Sequence, residues 1–174
     1  MSRLAALLLA FVITTPAAAE TVLIRDGRVV TNGGAGIIEN GDVLIVDSRI
    51  RAVGAEIAPP RGARIVEAEG RFVTPGAFAA MSEVGLSEIS GSGAPNDANI
   101  SGDLVAAAAD AGRAFNPAAT AVAVTRMEGV TRAAIAPSGT ETMFGGRGAL
   151  VSLDGEADSV FRQRAFMVVE LGET

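Results

Sequence analysis

The 174-residue sequence contains no histidine, no cysteine and no lysine, so all fourteen of its basic residues are arginine. Without histidine, the chain lacks the commonest metal ligand and the usual general base near neutral pH. Without cysteine, disulfides and thiolate chemistry are excluded. Without lysine, Schiff-base catalysis and a P-loop lysine are excluded as well. Most of the standard catalytic constellations are therefore unavailable to these residues.

Aromatic residues are also scarce, at 4% of the chain with no Trp and no Tyr, although 49% of the residues are hydrophobic. The core must therefore be built from Ala, Val, Ile and Leu. The formal net charge is −6, and the sequence has no run of basic residues. An acidic chain of this kind is a poor candidate for binding nucleic acid, because phosphate contacts need clustered positive charge. We therefore predict no nucleic-acid partner.

The first nineteen residues have the pattern of a secretory signal peptide. Arg3 supplies a positive start, Leu4–Ile13 is an uninterrupted apolar run, and Ala17–Ala19 is a small-residue cleavage site. The apolar run is about half of the roughly 20 residues that a spanning helix needs. We predict cleavage after Ala19, export to a periplasm and no membrane span after cleavage. The alternative is an N-terminal anchor that is never removed.

Residues 20–75 alternate short apolar stretches with turn residues. Asp26-Gly27 and Asn40-Gly41 each stand between two alternating runs, which is typical of hairpin turns. Asp47-Ser48 and Glu69-Gly70 indicate two further turns. Strands at this spacing predict a β-sandwich, or half of one.

The character of the sequence changes after Pro75. We predict buried strands, a loop over 87–99, a helix over 103–113 ending near Gly112, and a tight turn over 145–148. The segment 121–128 is ambiguous between helix and strand and ends at Gly129. The predicted strands are Ala77–Met81, Val130–Ala136, Ala149–Leu153 and Ala165–Leu171. An alternation of strand, helix and parallel strand is the connectivity of an α/β barrel.

The segment Arg71–Glu83, which contains Val73-Thr74-Pro75-Gly76, resembles the amidohydrolase superfamily near its imidazolonepropionase-like branch. In that family a "V-x-P-G" turn joins a small β-domain to a metal-binding barrel. The segment 116–139 is similar to an exported bacterial branch. The resemblance implies that residues 20–75 form the composite β-sandwich portion and residues 76–174 form the first strands and helices of an incomplete TIM-like barrel. It also implies a metal-dependent hydrolase that acts on non-peptide carbon–nitrogen bonds of a small molecule.

The family's first two metal ligands are histidines in an H-x-H motif, which falls on Met81 and Glu83 of this sequence. Glu83 is thus the one candidate metal ligand that the resemblance offers, for a divalent, zinc-like ion. A carboxylate can bind such an ion, but the soft thioether of Met81 is a poor partner for a hard cation. The alternative is that this part of the metal site is lost and that Glu83 is only a polar residue at the mouth of the barrel.

Other polar residues are weaker candidates. Glu88 lies five residues after Glu83, so the two form a candidate acid/base pair. Ser138 precedes a glycine but does not form G-x-S-x-G, and no histidine is present to activate it. The acids of the second half lack the spacing of a calcium loop. Those acids are Asp97, Asp103 and Asp110.

Two arginine-containing features have alternative interpretations. Arg126 and Arg132 flank Gly129, where they would hold a substrate carboxylate or form a surface ion pair with Glu128. The run Gly145–Gly148 would offer backbone amides to an anion or simply form a tight turn.

Three functions remain open from the sequence. The chain is the N-terminal portion of an exported amidohydrolase-like hydrolase, not catalytic by itself; or it is a non-catalytic periplasmic binding or structural relative; or it is an inactive truncated product. The resemblance favours the first hypothesis. The replacements at Met81 and Glu83 favour the second, and the short length with no histidine favours the third.

Overall fold

The structure of the protein is a computed structural model. It describes residues 20–88, 96–99, 106–138 and 143–171. The chain divides into two compact units, and the border falls between Pro75 and Gly76. Among the described residues, no helix is both long enough and apolar enough to cross a membrane.

The first unit is a five-stranded sheet. Its order is β3-β2-β1-β4, and β5 pairs with β1 beyond β4. Strand β1 is antiparallel to β2 and parallel to β4 and β5, so it is the central strand. The strands are β1 (Thr21–Val30), β2 (Ile37–Val46), β3 (Arg49–Ala55), β4 (Arg64–Glu67) and β5 (Phe72–Val73).

Two of the predicted hairpin turns are wrong, because Asp26-Gly27 and Asn40-Gly41 lie inside β1 and β2. Gly27 and Gly41 face each other across the two strands, and each strand carries one extra residue beside that pair. Asp26 and Asn40 have φ values of 56° and 51°, as turn residues would, but here they form bulges. The predicted turns at Asp47-Ser48 and Glu69-Gly70 are confirmed.

Asp42 holds the bulged region together. Its side chain is buried, and both carboxylate oxygens accept hydrogen bonds from backbone amides. Oδ1 accepts from the Asp26 amide at 3.0 Å, and Oδ2 accepts from the Ile57 amide at 2.8 Å. One carboxylate therefore satisfies two amides, one of them at the bulge, where the β1–β2 register shifts.

The second unit is a four-stranded sheet in the order β6-β7-β8-β9, with short helices. Strand β6 is parallel to β7, whereas β7–β8 and β8–β9 are antiparallel. A 3₁₀ turn covers Ala106–Ala108. The other elements are β6 (Ala77–Ser82), α1 (Ala111–Ala114), α2 (Thr120–Met127), β7 (Val130–Ile135), β8 (Phe144–Ser152) and β9 (Val160–Val169).

The core of the second unit lies around β7 and β8. Residues 133–136 are all buried, as expected for a strand that is covered on both faces. Helix α2 buries Val122 in the same core, which settles the ambiguous segment as a helix. Gly129, at φ 92°, follows the helix, and its amide donates to the Arg126 carbonyl at 3.0 Å. The predicted end of this element at Gly129 is therefore confirmed.

Two other predictions in this unit need correction. The run Gly145–Gly148 is not a tight turn, because it lies within β8. A Cβ on Gly148 would lie 2.1 Å from the ring of Phe166, so the glycine is required by close packing. The predicted helix over 103–113 lies partly outside the described residues. Its described part is interrupted at Asp110, which has extended backbone angles.

The described residues form mostly β-sheet and little helix, which agrees with the β-rich part of the predicted fold. The parallel pair β6–β7, with α2 in the connection, is the unit that an α/β barrel repeats. Strands β8 and β9 run antiparallel and do not continue that repeat. The sandwich and the start of a barrel therefore stay predictions.

Candidate functional site

The parallel strands β6 and β7 end side by side, and the predicted site residues follow β6. Ser82 lies opposite Ile135, and its carbonyl accepts a hydrogen bond from the Ala136 amide at 3.0 Å. In α/β folds, side chains just beyond the C-terminal ends of parallel strands form the binding sites. This edge of the sheet is therefore the first candidate site of the second unit.

Met81 is strained at this edge. Ala79 pairs with Ala133 and Ser82 with Ile135, so β6 has one more residue than β7 over this stretch. Met81 takes up the extra length with φ 58°, and 63% of its surface is exposed. The left-handed region costs a non-glycine residue about 1–2 kcal/mol. Strain of this kind clusters at functional sites, which makes this bulge a candidate.

Glu83, the predicted metal ligand, is exposed, and its backbone carbonyl accepts from the Leu86 amide at 2.9 Å. Glu88 accepts a hydrogen bond from Asn116 Nδ2 at 2.7 Å, so its carboxylate is engaged by the segment before α2. The part of the chain that the structure describes contains no group of three or more acidic, His or Cys residues able to hold a metal. The described residues therefore do not supply a set of ligands that fits the family's divalent ion. The ligand role of Glu83 stays a prediction.

The loop after β6 is nevertheless fixed in place. Gly85 has φ 77°, and a Cβ there would lie 2.4 Å from the ring of Phe115. The Gly85 carbonyl accepts from the Asn116 amide at 2.8 Å, while Leu86 is buried in the core. Glu83 is thus presented from an anchored loop.

The predicted ion pair between Arg126 and Glu128 is wrong. Arg126 Nη1 donates instead to the carbonyls of Leu153, at 2.9 Å, and of Asp154. These carbonyls follow β8, so Arg126 ties α2 to the end of that strand. Arg132 is exposed within β7, in register with Ser152 on one side.

The remaining candidates are not gathered into one site. Asp97 is exposed, and its amide donates to the Leu86 carbonyl at 2.8 Å. Ser138 is half-buried, and its amide donates to the Ala98 carbonyl at 2.9 Å. Asp103 lies outside the described residues.

Asp154 belongs to the turn between β8 and β9. The Ser159 hydroxyl donates to Asp154 Oδ1 at 2.5 Å, and the Glu156 amide donates to the same oxygen at 3.1 Å. The hydrogen bond from Ser159, followed by one from Ser152, holds the pKa of Asp154 below its ordinary value. The carboxylate is exposed and closes a turn, so we assign it a structural role.

Asp110 belongs to a charged cluster that the sequence did not reveal. Its side chain is 8% exposed, and Oδ2 accepts from Arg164 Nε at 2.8 Å. Arg113 Nε lies 3.8 Å from the same oxygen. Asp110, Arg113, Gln163 and Arg164 line a cavity of about 330 Å³. Asp110 and Arg164 are 54 positions apart, so no short motif could have revealed their proximity.

Comparison with known proteins gives two informative matches. The amidohydrolase from Thermotoga maritima MSB8 superposes with a TM-score of 0.73 at 27% identity, over 87% of this chain and 39% of that one. The dihydropyrimidinase of Rattus norvegicus is 43% identical over 61 residues, which are 33% of this chain and 11% of that enzyme. No family model matches the sequence.

The chain therefore superposes on part of an amidohydrolase structure, and the resemblance to amidohydrolases inferred from the sequence is confirmed. The chain spans about two-fifths of the Thermotoga amidohydrolase and about a tenth of the rat dihydropyrimidinase. The exported imidazolonepropionase-like branch stays a prediction.

Proposed function

We propose that this chain is the N-terminal portion of an exported amidohydrolase-like hydrolase that acts on carbon–nitrogen bonds of small molecules. The fold match to the Thermotoga amidohydrolase carries the proposal, because it covers most of this chain but less than half of that protein. The partial identity with a dihydropyrimidinase supports the same class of reaction.

In this proposal the described residues act as a scaffold. They build the β-rich portion and present the strained bulge at Met81 and the anchored loop at Glu83. The metal that the fold family implies would supply Lewis-acid chemistry when bound. The described residues lack a cluster that fits it, so we assign them no metal-dependent step.

The test is to sequence the source DNA beyond the Thr174 codon and to express the whole reading frame. We expect the frame to continue and its product to hydrolyse a panel of cyclic and N-acyl amides in a chelator-sensitive manner. The 174-residue chain should release no amine from the same panel. A stop codon directly after Thr174, or a longer product without chelator-sensitive hydrolysis, would contradict the proposal.

Zinc binding to the 174-residue chain tests the place of Glu83 separately. Equilibrium dialysis should show the same weak zinc uptake for the parent chain, for Glu83→Gln and for the control Glu128→Gln, another exposed carboxylate of the second unit. A selective loss of uptake in Glu83→Gln would instead establish Glu83 as a metal ligand.

The second candidate function is a non-catalytic binding relative, favoured by the thioether of Met81 where the family has a metal-binding histidine. A turnover assay distinguishes the two functions, because a binding relative retains its ligand without hydrolysing it. Both place the protein outside the cytoplasm. N-terminal sequencing of protein from a periplasmic extract should begin at Glu20, and an intact Met1 would contradict cleavage.

A further inference from the structure

We propose that the cluster of Asp110, Arg113, Gln163 and Arg164 binds a compact oxyanion, the carboxylate or phosphate group of a small molecule. The cluster shares no residue with the bulge at Met81 or the loop at Glu83, and the inference does not depend on the proposed hydrolase function. Its first support is the cavity of about 330 Å³ that these four side chains line.

The charges of the cluster favour an anion. Two guanidinium groups face one carboxylate, which leaves one positive charge uncompensated within the cluster. Arg164 uses Nε to bind Asp110 Oδ2, and its side chain is 49% exposed. Among the described residues, no hydrogen bond engages the terminal nitrogens of Arg164 or the guanidinium of Arg113. Guanidinium groups bind carboxylate and phosphate through paired N–H donors.

The backbone directs these side chains toward the cavity. Gly148 pairs with Phe166 and Leu150 with Arg162, so three residues of β9 lie opposite the single residue Ala149 of β8. Arg164 lies in this bulge with φ 48°, which is unfavourable for a long side chain. Bulges redirect side chains and are frequent beside binding sites.

Close packing brings the other half of the cluster to the bulge. A Cβ on Gly112 would lie 2.3 Å from Gln163 Oε1 and 3.0 Å from the Cβ of Ala149. The glycine at position 112 therefore allows helix α1 to approach β8 and β9 closely without displacing the Gln163 side chain. This contact brings Asp110 and Arg113, on either side of Gly112, to the redirected Gln163 and Arg164.

Asp110 is a positioning residue in this site. Its side chain is almost entirely buried, and one carboxylate oxygen contacts both arginines. The other oxygen, Oδ1, is buried without a hydrogen-bond partner in the described structure. A buried carboxylate with an unsatisfied oxygen costs stability. This cost is explained if the Asp110 carboxylate orients the guanidinium groups of Arg113 and Arg164.

The test is a titration of the ¹⁵N-labelled 174-residue chain, followed by NMR, with sodium acetate, inorganic phosphate and sodium chloride at matched ionic strength. We expect saturable shifts at Arg113 and Arg164 with acetate, phosphate or both, and none with chloride. A response to acetate alone assigns a carboxylate ligand, and a response to phosphate alone assigns a phosphate ligand. No saturable response to either would overturn the proposal.

Matched variants locate the site. Arg164→Gln should weaken binding about tenfold or more, because a hydrogen bond to a charged group is lost. Arg162→Gln removes the same charge from an exposed position two residues away in β9 and should leave the affinity unchanged. Arg164→Lys keeps the positive charge but loses the planar guanidinium group, so its affinity for the anion should lie between those of the parent chain and Arg164→Gln. An intermediate affinity separates loss of the site from loss of folding. Equal effects of Arg164→Gln and Arg162→Gln would refute a specific site.

Discussion

Replacing Asp42 by alanine should destabilise the first unit more than any other change of a single carboxylate in its sheet. The substitution removes the acceptors of the Asp26 and Ile57 amides, at 3.0 and 2.8 Å. A hydrogen bond to a charged group contributes about 1.5–3 kcal/mol. Asp26 is exposed and Ile57 is half-buried, so water can replace part of the loss. We therefore expect a decrease in the free energy of unfolding of about 2–4 kcal/mol.

Two matched variants test this expected loss of stability. Asp42→Asn keeps the size of the side chain and one acceptor oxygen, so it should cost about 1–2 kcal/mol. Asp47→Asn removes the same charge from the exposed turn after β2 and should stay within about 0.5 kcal/mol of the parent. Urea unfolding followed by circular dichroism measures these differences.

Hydrogen exchange gives the local readout for the same variants. The Asp26 and Ile57 amides should exchange much faster in Asp42→Ala, and one of the two should do so in Asp42→Asn. A loss of less than about 0.5 kcal/mol in Asp42→Ala, with unchanged exchange at both amides, would refute the reasoning.

Three further predictions concern the second unit. Gly148→Ala should cost about 1–3 kcal/mol, because its Cβ would overlap the ring of Phe166; thermal unfolding measures this. Met81→Gly should stabilise by up to about 1 kcal/mol by relieving the left-handed backbone, measured by urea unfolding. The contribution of Asp154 should be complete above its unfolded pKa and lost as pH falls through the lowered folded pKa, and Ser159→Ala should flatten this dependence in unfolding measured between about pH 2 and 5.

Each of these predictions has a contrary outcome. Gly34→Ala is the control for the overlap, because nothing lies within 4 Å of its Cβ, and equal losses at the two glycines would contradict the packing argument. Destabilisation by Met81→Gly would show that the side chain contributes more than the backbone strain costs. An unchanged acid dependence in Ser159→Ala would remove the assigned cause of the lowered pKa of Asp154.

The glycine pairs show what the sequence could and could not specify. Asp26-Gly27 and Asn40-Gly41 correctly indicated left-handed residues, since Asp26 and Asn40 both have positive φ. The sequence did not show that the two pairs would meet each other. Gly27 lies opposite Gly41, so each pair forms a bulge within a long strand where a hairpin end was expected. Local propensity predicted the positive φ angles, whereas the pairing of β1 with β2 determined that these residues form bulges and not hairpin turns.

For the candidate sites, too, the sequence predicted local features but not those that depend on tertiary pairing. The resemblance placed Glu83 after the first strand of the second unit, and Glu83 does follow β6. It did not reveal that Met81 would occupy a strained bulge, because the strain depends on the register between β6 and β7. The cluster of Asp110 and Arg164 was beyond sequence reasoning. It depends on a bulge in β9 and on the close approach of Gly112 to Gln163.

The central position of β1 has a consequence for how the first unit assembles. Strand β1 begins at Thr21, but its parallel partners β4 and β5 lie more than 40 residues further along the chain. The β1–β2 and β2–β3 pairs are local and can form early, whereas the other edge of β1 stays unpaired until first β4 and then β5 are available. A nascent chain therefore carries an unpaired strand edge through most of the synthesis of this unit. During that interval the unit depends on rapid folding, or on a chaperone, to avoid aggregation.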